Sequence, residues 1–186
     1  MSTTDEPDTA TARTAAPAVR LLEPARADLV RSVLRRHAKG VAVVTVGGER
    51  PVGFCVTSLA SLSLEPPLMS FTVGLRSASW GAVRDATWVM VQLLAEGQAE
   101  VARVFAGPGA SRFGPATRWH PDPLGLPALE GVLARFVLTP VSFRPVGDHA
   151  LVIGLVVRAA RVTDAGPLVH HDGEFIGLPV TMSGPH

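Results

Sequence analysis

Gly53-Phe-Cys-Val-Thr-Ser-Leu-Ala-Ser-Leu-Ser-Leu-Glu-Pro-Pro-Leu68 begins as a strand-like run and ends in a Pro-Pro pair that holds the backbone extended ahead of the next apolar run. Thr57, Ser58, Ser61 and Ser63 stand just past the strand end. Clustered hydroxyls and free backbone N–H groups at such a place suit a phosphate or the polar edge of a flat heterocycle. Composition alone favours a plainer reading, a Ser-rich turn whose hydroxyls satisfy their own backbone. Order and spacing along the rest of the chain decide between the two.

Working outward, Val41 to Val46, the Gly47-Gly48-Glu49-Arg50 turn and Pro51 to Thr57 read as a hairpin. Further strands are expected at Leu68–Val73, Trp88–Leu93, Val132–Phe143 and His149–Val162. Val30, Val33, Leu34, His37 and Ala38 share one helical face ahead of Gly40, which predicts a helix over 25–39. Shorter helices fit at about 79–86 and 96–106, the latter with Val101, Val104 and Phe105 on one face. Gly107 to Gly131 shows no period, and a loop of that length is functional or covers something. Six strands joined by hairpins and short helices predict a mainly β fold, an antiparallel barrel with short helices. No GxGxxG follows a strand, which argues against a Rossmann domain. Residues 1–23 are poor in bulky apolar side chains and read as a flexible tail, 24–180 as one domain, and 181–186 as a C-terminal tail.

The 186 residues carry 17 basic and 16 acidic side chains, a net charge of +1, which speaks against nucleic-acid binding and against an electrostatic membrane clamp. Lys39 is the single lysine, there is no tyrosine, and 18 Gly and 16 Pro complete a bias typical of GC-rich genomes. The lone Cys55 excludes an intramolecular disulfide, and no Cys and His cluster has metal-ligand spacing. No apolar run reaches the roughly 18 residues of a membrane-spanning helix. A soluble, cytoplasmic protein is the expectation.

In order and spacing, the opening segment resembles the signature of the flavin reductase-like family, the FMN-binding split barrels, approximately G-x-T-x-x-S-F-x-S-V-S-L-D-P-P-L. Gly53, Ser58, Ser61, Ser63, Leu64, Pro66, Pro67 and Leu68 match it, while Cys55, Leu59 and Glu65 depart from it. Further segments are similar to the family in the same order: Arg76-Ser77-Ala-Ser79, Phe105 to Phe113, Gly147-Asp148-His149 leading to Gly154, and Pro167 to Phe175. The resemblance spans about residues 29–178.

It implies a six-stranded Greek-key split barrel, homodimeric, holding FMN or FAD near the subunit interface and reducing it with NADH or NADPH, often for a partner flavin-dependent monooxygenase. Hydride transfer between nicotinamide and flavin needs stacking and exclusion of water but no protein nucleophile, consistent with the lack of a triad or metal motif. By the same resemblance Cys55, Val56, Thr57, Ser58 and Ser61 border the isoalloxazine, and Arg76, Ser77 and Ser79 hold the phosphate. Arg112 and Phe113 contact the flavin or close the site, and His149 faces flavin and nicotinamide as the catalytic candidate. Phe175 stands where relatives carry an aromatic hydroxyl, so it can stack but donates no hydrogen bond. Plainer alternatives remain for each: Ser79 as a helix cap, Arg76 as a solvated charge, and Asp148 and His149 bonded to each other within a turn. A different class of function, a non-catalytic module binding flavin or haem with His37, His120 or His149 as candidate iron ligands, also stays open.

Overall fold

The computed structural model describes residues 23–108, 112–115 and 117–180. The expected tails at 1–23 and 181–186 lie outside them, Glu23 apart. In chain order the elements are α1 (Ala27–Leu34), β1 (Lys39–Gly40), β2 (Ala42–Val46), β3 (Val52–Val56), β4 (Ala60–Leu64), β5 (Pro67–Gly74) and α2 (Ser79–Asp85). They continue as β6 (Val89–Leu93), α3 (Ala99–Ala106), β7 (Trp119–Pro121), β8 (Pro127–Leu129), β9 (Ala134–Val146), β10 (His149–Arg161), β11 (Leu168–His171) and β12 (Glu174–Gly177). Among the described residues no helix is long and apolar enough to cross a membrane.

The main sheet runs β3-β2-β6-β9-β10-β5-β4 with antiparallel neighbours throughout. Its two edge strands, β3 and β4, are consecutive in the chain, so Thr57 to Leu59 bridges the two ends of a sheet that coils until they approach. Phe54 and Phe71 meet across that closure with ring centroids 6.2 Å apart. The expected barrel is therefore present, with seven strands in its sheet rather than six. The added strand is β4, the stretch read above as a hydroxyl-rich turn. Ser61 and Ser63 alternate with Leu62 and Leu64, but both faces of this edge strand are largely exposed, so the usual apolar-inward signal is missing. Its hairpin with β5 turns at Glu65-Pro66, a cis peptide.

β2 is buried at all five positions, which explains a continuous apolar run where a half-exposed strand would alternate. Val44, Val56, Phe71, Val91, Leu138 and Val152 fill the barrel on one side of it. On the other, Val43, Leu94, Phe105, Leu129 and Leu168 form a second core under α3. Cys55 packs against this second core, and burial pushes its thiol from 9.0 up to about 11.

The long aperiodic stretch is not structureless. β7 and β8 form a hairpin over the outer face of the sheet, covering Met90 and Val137. Asp122 shapes its turn by accepting hydrogen bonds from the backbone N–H groups of Leu124 and Leu126 at 2.9 and 2.8 Å. Fully buried Gln92 fastens it, donating to Thr45 Oγ1 (3.2 Å) and Pro127 O (3.1 Å) and accepting from Leu129 N (2.7 Å). α1 is shorter than expected because the Arg36 and His37 N–H groups bond carbonyls three residues back, at 3.1 and 3.2 Å. The chain then straightens at Lys39 to pair with His170.

Gln92→Leu leaves several buried polar groups unpaired and should lower the unfolding free energy by about 3 kcal/mol in urea titrations; a loss near zero contradicts the fastening role. The raised Cys55 value means that, at pH 8, alkylation of the folded protein should be roughly a hundredfold slower than that of the unfolded chain. Between pH 9.0 and about 11 the unfolded chain releases the thiol proton while the folded one retains it, so stability should fall across that window.

Candidate functional site

β5 turns Phe71 and Val73 into the barrel core and Thr72 and Gly74 to its outer face. Gly74 pairs with His149 and Thr72 with Leu151, so these four positions share that outer face. Ser58 joins them from the bridging segment. Its Oγ accepts from Thr72 N at 3.0 Å and from Thr72 Oγ1 at 2.9 Å, continuing the ladder where β4 has not yet begun. That leaves the Ser58 hydroxyl proton, with half-buried Thr57 beside it, available at the barrel's closure.

The other end of this face is built by the turn after β5. Ser77 N bonds Gly74 O at 2.9 Å, and Ser77 Oγ accepts from Ser79 N at 3.2 Å. Ser77, rather than Ser79, thus tethers the start of α2, while Ser79 is buried with Val83 on that helix's inner side. A Cβ placed at Gly74 would lie 3.9 Å from both His149 Nε2 and Ser77 Cβ, so the absent side chain leaves an open floor between imidazole and hydroxyl. His149 Nδ1 lies 2.7 Å from Asp148 Oδ1. A carboxylate only accepts, so Nδ1 carries the hydrogen and Nε2 is the free nitrogen facing that floor. Both readings of the Gly-Asp-His turn are compatible, since the pair shapes the turn and also orients the ring. The His149 hydrogen bond, chiefly, holds the Asp148 carboxyl below its usual range, and exposed Arg76 contributes more weakly to the same shift.

Other expected residues have a different setting. Arg112 donates through Nη1 to Gly53 O at 2.7 Å and through Nη2 to Gly107 O at 2.6 Å, while its buried Nε has no partner and burial lowers its guanidinium from the usual value. Phe113 stands edge-on to Phe105 and Trp119, with centroids 5.5 and 5.2 Å apart. A Cβ on Gly53 would fall 2.6 and 2.9 Å from the Phe105 and Phe113 rings, so this motif glycine is needed for packing. The group braces the far end of β3, four residues or about 13 Å of strand from Thr57. Cys55 and Phe175 pack against the second core, and Val56 against the first. Ser61 is exposed on β4. Thr72 and Gly74 are the site positions that motif reading passed over; the outward phase of an alternating strand beginning at Leu68 is the signal that finds them.

Serine and threonine hydroxyls, one free imidazole nitrogen and a guanidinium thus surround an open strip one glycine wide, with no carboxylate but Asp148, which is bound to His149. Such a strip can hold a flat heterocycle edge-on and a phosphate at its Arg76 end.

The chain is 41% identical over 150 residues to an NADH:FMN oxidoreductase of Rhodococcus erythropolis, covering 78% of each chain. It is 35% identical to the HsaB reductase subunit of a flavin-dependent monooxygenase of Mycobacterium tuberculosis, covering 83% of this chain and 84% of that one. Among solved structures, the NADH:FAD oxidoreductase of Streptomyces globisporus in complex with NAD and FAD fragments superimposes with a TM-score of 0.78 at 28% identity, covering 83% of this chain and 93% of that one. BorF, the flavin reductase component of a bacterial two-component tryptophan halogenase, gives 0.77 at 31% identity over 84% of this chain and all of its own. With residues 34–179 matching the pattern described as Flavin reductase like domain, the chain belongs to that family.

Proposed function

We propose that the protein is an NAD(P)H-dependent flavin reductase that takes FMN or FAD and supplies reduced flavin to a partner monooxygenase. The carrying observation is the strip from Ser58 past Gly74 to Ser77, with the oriented His149 imidazole opening onto it. Relatives that reduce FMN or FAD with NADH, and that serve as monooxygenase components, support the reading. Flavin bound there supplies the two-electron acceptor for a nicotinamide hydride. Thr57 and Ser58 offer hydroxyl and backbone donors to its polar edge and steady the negative charge that grows there on reduction. Ser77 and Arg76 take the phosphate, with Ser79 buried beneath them on the inner side of α2. His149, held by Asp148, touches the reacting rings through Nε2 and fixes their relative position. Cys55, Val56, Arg112, Phe113 and Phe175 act indirectly, by packing the cores and bracing β3, and Ser61 flanks the strip.

A strip on the outer face of one barrel cannot exclude water by itself. Exposed Leu62 and Leu64 on edge strand β4, with Val141 and Val146 on β9, are apolar surface that a second copy would cover. We infer a homodimer whose partner closes the site. A cytoplasmic setting fits a free thiol and a dependence on reduced nicotinamide.

Anaerobic NADH added to protein with FMN should bleach the flavin absorbance rapidly. Tight flavin binding without bleaching would instead indicate a non-catalytic module. His149→Ala should lower turnover more than tenfold, a barrier rise of about 1.4 kcal/mol or more, and unchanged turnover removes His149 from the mechanism. Light scattering should give a dimer; a monomer under assay conditions contradicts closure by a partner.

A further inference from the structure

We propose that the cleft between α1 and the β1–β11 pair is a second binding site, for the adenosine phosphate half of a dinucleotide. This rests on the reductase reading and extends it to the part of the ligand remote from the reacting ring. The cleft measures about 440 Å³ and is floored by Val30 and Leu34, with Arg31, Arg35, Lys39 and His170 around it and no acidic residue in its lining. Arg31, Arg35 and Lys39 supply its positive charge. Arg31, in the last turn of α1, and Arg35, its C-cap, are four residues apart, a like-charge spacing that an anion between them would relieve. Lys39 approaches from β1, directly opposite His170 on β11.

The neighbouring ion pairs leave these charges free. Arg36 lies 3.7 Å from Asp172, and Arg26 is held by Asp28 at 2.8 Å, whereas Arg31, Arg35 and Lys39 have no ion-pair partner among the described residues. Three unpaired cations around one cleft are a local excess in a chain whose net charge is +1.

The arrangement is built rather than incidental. Gly173, whose φ of +92 suits glycine in the β11–β12 turn, lies beside the Arg35 guanidinium. The Arg35 carbonyl accepts from Asp172 N at 2.9 Å, tying the end of α1 to the same turn. His170 lines the cleft and is steadied from the far side by Phe175, with ring centroids 5.2 Å apart, so one imidazole stands beside the cations. Cations for phosphate, an imidazole for the edge of a base and an apolar floor for its face are the groups an adenylate needs. A smaller hollow is lined by Gly40, which follows Lys39 in the chain, together with Leu59, which follows Ser58.

FAD and nicotinamide dinucleotides both carry this group, and the experiment separates them. ADP is titrated calorimetrically into the full-length protein and into the R31Q/R35Q/K39Q variant, with FMN affinity measured on both as a control for folding. ADP should bind the native protein, and the variant should lose at least tenfold in ADP affinity with FMN affinity retained. A matching rise in KM for NADH, with FMN as acceptor, assigns the cleft to the nicotinamide dinucleotide. A rise confined to KM for FAD assigns it to the flavin. K39R, which keeps the charge, should retain most of the ADP affinity. No ADP binding by native protein that binds FMN, or equal ADP affinity in native and variant protein, overturns the proposal. Failure of NADH to bleach bound FMN, with charge-dependent ADP binding intact, would remove the reductase reading and leave the cleft assignment standing.

Discussion

β2 is the wall that two cores share. Every one of its side chains is shut off from water, so it has no solvent face through which misfit on one side could be relieved. The barrel interior packs on one side and α3 on the other, and the only polar side chain in the strand, Thr45, donates to Pro127 O at 2.8 Å. That bond, shared with Gln92, settles where the β7–β8 hairpin lies. The turn out of β2 leads to β3, and the end of β3 delivers Thr57 and Ser58 to the barrel's closure. Displacement of β2 would therefore be felt at the β7–β8 hairpin and at the Ser58 end of the proposed flavin strip.

The strip itself exists because the barrel does not close by strand pairing. β3 and β4 are both edges, and the three residues between them must satisfy backbone groups without a neighbouring strand. The Ser58 hydroxyl takes the place of a strand partner for Thr72, accepting from its N–H and its hydroxyl, which draws an oxygen to the rim and leaves its own proton free to donate. Gly74 then keeps the rim clear between Ser77 and His149. A discontinuity in the sheet thus becomes a line of donors. An antiparallel barrel sealed by hydrogen bonds all the way round would present no such line.

How much of this could be read beforehand varies with the physics involved. Strands β2, β3, β5, β6, β9 and β10 announce themselves because burial makes their β-branched runs dense, and the hairpin turns between them are marked by glycine. β4 does not, since an exposed edge strand has no burial pattern to display. β7 and β8 are invisible for another reason: three residues each are held by Gln92, whose relevance depends on contacts more than thirty residues away in the chain. At the site, Ser58, Ser77 and His149 were legible from order and spacing, and they do come to one face. Arg112, Phe113 and Gly53 were equally legible as a motif, yet their geometry is that of a brace, with two aromatic rings pressed where a side chain would be. A shared motif marks positions that a fold needs, and packing is one such need.

The arginine-rich composition leaves Lys39 as the only side-chain amine of the chain, and it stands at the cleft beside α1. Reagents that acylate amines accordingly meet one side chain in the folded protein, together with the α-amino group. The same compositional bias that spreads guanidinium groups over the surface has left a single nucleophilic nitrogen at a defined place, a natural attachment point for a fluorophore or a cross-linker with no engineered residue.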